Sequence, residues 1–69
     1  MNYKEMRNLC SGKQLPIFAK NENGENLVIE RGREDDRHFY KTMTAQRNGW
    51  TRINVYYDDG SSDELFTRR

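Results

Sequence analysis

This chain has few residues that could act as a catalytic nucleophile and its base. Cys10 is the only cysteine and His38 the only histidine, and no known motif surrounds either. Nucleophilic catalysis needs such a pair within hydrogen-bond distance, with a third group that orients the base. Because the two residues belong to elements far apart in sequence, we interpret Cys10 as a small residue buried under a helix. We interpret His38 as a solvated residue at the start of a strand.

Carboxylates cluster in two places, residues 34–36 and residues 58–64. The second cluster departs from the spacing of an EF-hand calcium loop and indicates a polar hairpin turn. The first cluster could act in acid–base catalysis only inside a pocket, for which so small a domain rarely has room. Ser11-Gly12-Lys13 lacks the spacing and the preceding strand of a phosphate-binding loop. We therefore expect no enzymatic activity, no cofactor and no metal.

The composition favours one small domain that binds a partner. The chain has 69 residues and a net charge of +1, with 33% hydrophobic and 33% charged residues. This charge excludes a protein that neutralises many nucleic-acid phosphates. A single cysteine forms no internal disulfide, and no apolar stretch has the length of a membrane span. We therefore expect a cytoplasmic protein, of a size common among accessory proteins of bacteria and phages.

A recurring turn predicts the elements that position the remaining side chains. Glu22-Asn23-Gly24, Arg47-Asn48-Gly49 and Asp58-Asp59-Gly60 each stand between β-prone runs, which is a strong hairpin signal. With a three-residue loop and the glycine at positive φ, apolar side chains of each hairpin fall on one face. Phe39 then pairs with Tyr57, for example, and Ile17 with Ile29.

These turns predict a mainly β fold of five antiparallel strands in a meander, with a short N-terminal helix over 1–12. The predicted strands are 14–21, 25–31, 37–46, 50–57 and 61–67, and residues 32–36 are predicted to form a charged loop. An open sheet and a small SH3-like or OB-like barrel both fit this pattern. We expect residues 1–69 to form a single domain.

The register also predicts which residues form the core and which face a partner. Met6 and Leu9 of the helix cover the predicted core, whose sheet residues are Leu15, Ile17, Ala19, Leu27, Ile29, Phe39, Met43, Ile53, Val55, Tyr57 and Leu65. The opposite face is aromatic and basic. Its candidate binding residues are Tyr40, Arg47, Trp50, Arg52, Tyr56, Phe66 and Arg68.

Two interpretations of this aromatic and basic face stay open. Either curvature of the sheet or a second subunit buries these aromatics in a small second core, or they form a contact surface. Trp, Tyr and Arg are enriched at protein-binding hot spots, and they also stack on the bases of single-stranded nucleic acid. We expect a non-catalytic binding module of the adaptor or inhibitor type, whose partner is another protein or a copy of itself. The alternative is a weak single-stranded DNA- or RNA-binding domain that uses the same residues.

Overall fold

The fold is a five-stranded antiparallel meander with one helix, as predicted. The computed structural model describes residues 1–46 and 49–68. Its elements, in chain order, are α1 (Tyr3–Cys10), β1 (Ile17–Lys20), β2 (Asn26–Glu34), β3 (Arg37–Ala45), β4 (Trp50–Tyr57) and β5 (Ser62–Arg68). The strands pair in chain order, so that β1 and β5 form the two edges of the sheet. The sheet is therefore open, and the barrel alternative is wrong.

The structure confirms the predicted register of the three hairpins, and the glycine of each turn has the expected positive φ. Gly24, Gly49 and Gly60 have φ values of 77°, 83° and 92°, which glycine adopts without steric cost. Ile17 pairs with Ile29 and Phe39 with Tyr57, as expected. Residues 47 and 48 of the middle turn lie outside the described residues.

The predicted charged loop over 32–36 is wrong. β2 continues to Glu34 and β3 begins at Arg37, so only Asp35 and Asp36 connect them. Asp35 has a φ of 53°, a conformation that aspartate tolerates better than most residues. The hairpin therefore closes tightly, and its register places Leu27 opposite Thr44 and Val28 opposite Met43.

This register divides the predicted core between the two faces of the sheet. We call the face that carries Leu27 and Ile29 the helix face, because Met6 and Cys10 of α1 pack against these residues. We call the face that carries Val28 and Met43 the open face. Predicted core residues of the open face are Phe39, Met43, Ile53, Val55, Tyr57 and Leu65. Their predicted packing under the helix is wrong, because the β2–β3 turn puts them on the other side of the sheet from Ile29.

The helix begins and ends with local signals. The side chain of Asn2 accepts a hydrogen bond of 2.9 Å from the backbone N–H of Glu5, which caps the first turn. Ser11 follows the last helical residue, and Gly12 at a φ of 76° turns the chain away. The helix places Met6, with no exposed surface, over Ile29 and Tyr40.

Candidate functional site

Tyr40, a candidate binding residue, belongs to the core. Only 3% of it is exposed, and its ring centroid lies 5.0 Å from that of Tyr3 in α1. Tyr56, which pairs with Tyr40, is half-buried against the same cluster. Tyr40 thus belongs to the core and Tyr56 lies at its edge, and Tyr40 cannot contact a partner while α1 stays docked.

Four other candidates do come together, at the part of the helix face that α1 leaves uncovered. We call this group the aromatic corner; its members are Trp50, Arg52, Phe66 and Arg68. Arg68 pairs with Trp50 across the strands, and its guanidinium carbon lies 5.9 Å from the ring centroid. Phe66 is 55% exposed. Arg47, the remaining candidate, lies outside the described residues.

One cation of the aromatic corner, Arg52, is paired with a carboxylate. The guanidinium of Arg52 lies 3.6 Å from a carboxylate oxygen of Glu25. Its Nε is buried without a hydrogen-bond partner. Because a carboxylate already faces Arg52, its guanidinium is less available to a phosphate than its position on the face suggests.

The open face carries a continuous apolar row that crosses all five strands. Each member pairs with the next one across adjacent strands, and the row consists of Phe18, Val28, Met43, Ile53 and Leu65. At the edges of the sheet, Phe18 is 83% exposed and Leu65 is 53% exposed. The three inner residues are half-buried by their neighbours alone, since the helix lies on the other face. This row was missed because its register depends on the β2–β3 turn.

One end of the open face is held by a network of aromatic and charged side chains. The rings of Phe39 and Tyr57 meet edge to face at 5.8 Å, and the guanidinium of Arg37 lies 3.9 Å above the Tyr57 ring. The Tyr57 hydroxyl donates to Glu34 at 3.2 Å. Burial, together with the nearby charge of Glu34 and this hydrogen bond, raises the pKa of Tyr57. The network packs this end without help from a second layer.

The carboxylates concentrate at the same end of the sheet, which we call the acidic end. It comprises Glu34 at the end of β2, Asp35 and Asp36 of the β2–β3 turn, and Asp58 and Asp59 of the β4–β5 turn. The backbone N–H of His38 donates to Asp58, and Arg37 lies 3.4 Å from Asp59, so the two turns are joined. Among residues 1–46 and 49–68, no three histidine, cysteine or carboxylate side chains are grouped to hold a metal ion.

The residues with nucleophilic or basic chemistry do not meet. Cys10, the last residue of α1, is buried, and desolvation raises the pKa of its thiol and makes it less reactive. His38 is exposed at the acidic end. Neither position agrees with a thiol–imidazole pair, and both agree with the roles expected from the sequence.

Within the described part of the chain, no helix is long and apolar enough to cross a membrane. Comparison of the sequence with protein-family models and with curated proteins, and of the chain with solved structures, finds no match.

Proposed function

We propose that this chain is a non-catalytic binding module that contacts a protein through its open face. The observation that carries the proposal is the apolar row from Phe18 to Leu65, which no element of the described chain covers. A sheet face is stable in water when one side packs on a core and the other is polar. An apolar row on the uncovered side is instead typical of a protein contact surface.

The charges beside the row favour a protein over a nucleic acid. On the open face, Glu30 and Lys41 form an ion pair of 3.4 Å next to the row, and Asp63 lies farther along the same line of residues. Carboxylates at this position and at the acidic end would repel a phosphate backbone. The mixture of an apolar centre and a charged rim is the arrangement found in protein interfaces.

Two neighbouring residues of β5 provide a matched test. Leu65 points to the open face and Phe66 to the helix face, and they are 53% and 55% exposed. We expect Leu65→Ser to abolish the binding of a protein partner to the purified chain and Phe66→Ser to preserve it. Cross-linking and affinity capture measure this binding. Loss with Phe66→Ser and retention with Leu65→Ser would transfer the function to the aromatic corner.

A second candidate function uses the aromatic corner for single-stranded nucleic acid. The observation in its favour is that Trp50 and Phe66 lie beside Arg68, at the end of the sheet away from the acidic end. Stacking contributes about 1–3 kcal/mol per base, while two described arginines give a salt slope of only about −1.4. Titration of a mixed-sequence oligonucleotide at low salt, followed by Trp50 fluorescence, tests it. Absence of quenching would exclude this function.

A further inference from the structure

The two edges of the sheet differ in how well they resist pairing with another strand. β1 has four residues and follows Pro16, which lacks a backbone N–H. β5 has seven residues, all of them exposed, and contains neither proline nor glycine. Short strands and prolines protect a sheet edge, whereas a longer exposed edge strand can accept a further strand. β5 is therefore the edge at which we expect a strand to be added.

The backbone groups that point away from the sheet alternate along β5. The backbone N–H of Tyr57 donates to the carbonyl of Ser61 at 2.9 Å, so this pair is hydrogen-bonded. In an antiparallel pair of strands, every second pair of opposite residues exchanges hydrogen bonds. The residues of β5 whose N–H and C=O groups point outward are therefore Ser62, Glu64, Phe66 and Arg68. In the part of the chain that the structure describes, no strand lies beyond β5 to bond with them.

The charges of β5 restrict which strand can pair with this edge. Glu64 and Arg68 lie on the same face as Phe66, and Phe66 stands midway between them. Opposite charges stabilise a directly opposed cross-strand pair, and like charges destabilise it. A strand that pairs antiparallel with its centre at Phe66 must therefore bring a basic residue to Glu64 and an acidic residue to Arg68.

β5 of a second copy meets both requirements. A two-fold axis perpendicular to the sheet, beside Phe66, sets this residue opposite Phe66 of the second copy. The same rotation sets Glu64 of each copy opposite Arg68 of the other. The guanidinium carbon of Arg68, which lies 5.9 Å from the ring centroid of Trp50 in its own chain, then also faces a carboxylate. The outward backbone groups of the two strands meet in the same alignment, so that each can donate and accept hydrogen bonds.

Other alignments of two copies lose the opposed charges. An axis beside Leu65 sets Glu64 opposite Phe66, and an axis beside Glu64 sets two carboxylates opposite each other. An axis beside Thr67 sets Arg68 opposite Phe66. Parallel strands related by a two-fold axis place like charges side by side. Charges on an edge strand usually prevent self-pairing, but those of β5 permit it in the one alignment that is centred on Phe66.

We infer that β5 of this chain pairs with β5 of a second copy, antiparallel and centred on Phe66, so that the two sheets form one continuous sheet. The inference goes beyond the proposed function, because it uses the edge of the sheet and not the open face. A rotation about the sheet normal leaves both open faces uncovered and on the same side. An edge contact buries less surface than a standard interface, so the dimer forms only at high protein concentration.

Charge reversal and its rescue test the pairing. Sedimentation of the purified full chain is measured at low salt, where exposed charges interact most strongly. We expect the wild-type chain to dimerise at high micromolar concentration. Glu64→Arg and Arg68→Glu, each alone, should raise the dissociation constant about fivefold or more, because like charges then face each other at both ends of the pairing. The double variant, and an equimolar mixture of the two single variants, should dimerise like the wild type, since opposite charges meet again.

Lys4→Glu provides the control for net charge. Lys4 is exposed on α1, and its reversal changes the net charge by the same amount as Arg68→Glu. We expect this variant to dimerise like the wild type. A dimer that Lys4→Glu weakens as much as Arg68→Glu would overturn the pairing of specific charges. Circular dichroism verifies that each variant is folded.

The outcomes separate this inference from the proposed function. A wild-type chain that stays monomeric up to about 1 mM overturns the edge dimer, as does a dimer that neither single reversal weakens or that the double variant does not restore. None of these results concerns the open face, because Glu64 and Arg68 lie outside its apolar row. Conversely, a partner protein that still binds Leu65→Ser would contradict the proposed function and leave the edge dimer standing.

A distance between spin labels tests the alignment without changing a charge. The label is attached in the Ser62→Cys variant, with Cys10→Ala to prevent labelling of the native thiol. Ser62 lies four positions before Phe66, so pairing centred on Phe66 sets the two labels about 26 Å apart at about 3.3 Å per residue. A separation of about 20 Å, as for an axis beside Leu65, or of about 5 Å, as for parallel strands, would overturn this arrangement.

Discussion

Gly32 lies beneath the ring of Phe39, and its replacement by alanine tests whether this ring is held where the structure places it. Gly32 pairs with Phe39 across β2 and β3, and it does not have a positive φ. An alanine would therefore fit the backbone. Its Cβ, however, would lie closer than 3.0 Å to both Cζ and Cε1 of Phe39, which is too close for carbon atoms. The ring must swing away in Gly32→Ala.

The displacement should lower the free energy of unfolding by about 1–2 kcal/mol. Overpacking of this kind costs about 1–3 kcal/mol, which includes the loss of the edge-to-face contact with Tyr57 at 5.8 Å. Removal of a glycine from a strand offsets about 0.5–1 kcal/mol of this cost. The net loss is moderate because Phe39 is on the open face and has space into which it can move.

A double-mutant cycle with Phe39→Ala separates the clash from other effects of Gly32→Ala. The three atoms nearest to the added Cβ all belong to this ring, so without it we expect Gly32→Ala to become neutral or to stabilise by about 0.5–1 kcal/mol. Urea denaturation of all four proteins, at one low concentration so that association contributes little, gives the four free energies. Equal effects of Gly32→Ala in the two backgrounds would refute the contact.

Three further predictions concern the core, the helix and the acidic end. Ile29→Ala should cost about 2–5 kcal/mol in urea denaturation, because Ile29 has no exposed surface, whereas Ile53→Ala on the open face should cost about 1 kcal/mol in the dilute protein. Equal costs would place the core elsewhere. Asn2→Ala should cost about 0.5–2 kcal/mol and Asn2→Ser much less, since serine also caps helices; equal losses would contradict the cap. Hydrogen bonds from the hydroxyl and the backbone N–H of Ser61 lower the pKa of Asp59, so its contribution to stability is present above the unfolded pKa of about 3.9 and is lost as pH falls below it. Asp59→Asn should therefore flatten the loss of stability in acid, and an unchanged acid transition would contradict this.

The sequence predicts the hairpins well because their turns depend on local chemistry. At Gly24, Gly49 and Gly60 a three-residue loop requires a positive φ, and the register of the flanking strands follows from the loop length. All three registers are confirmed from a pattern that spans only a few residues each. The register of a hairpin depends on its own turn and strands, so it can be predicted without considering the rest of the chain.

The junction between β2 and β3 could not be predicted in this way, because Asp35 and Asp36 lack the glycine or asparagine that marks a tight turn. One weak signal was available: Glu34 and Arg37 pair directly across the closed turn and have opposite charges. Since successive side chains alternate between the faces, an error at this junction exchanges the faces of every later strand. The prediction of the candidate site was wrong at Tyr40 for the same reason, since this residue was expected on the binding surface and lies in the core.

In β3 the polar and apolar side chains lie on the faces opposite to those expected for a sheet whose open face contacts water. Thr42 and Thr44 are buried on the helix face, at 4% and 2% exposure, while Met43 between them is half-buried on the open face. Each large apolar side chain left in water forgoes about 1.5–3 kcal/mol relative to full burial. In a sheet with one face in water, the polar side chains are expected on that face and the apolar ones on the core side. The inversion therefore agrees with the proposed contact surface, in which a protein partner would complete the burial of Met43.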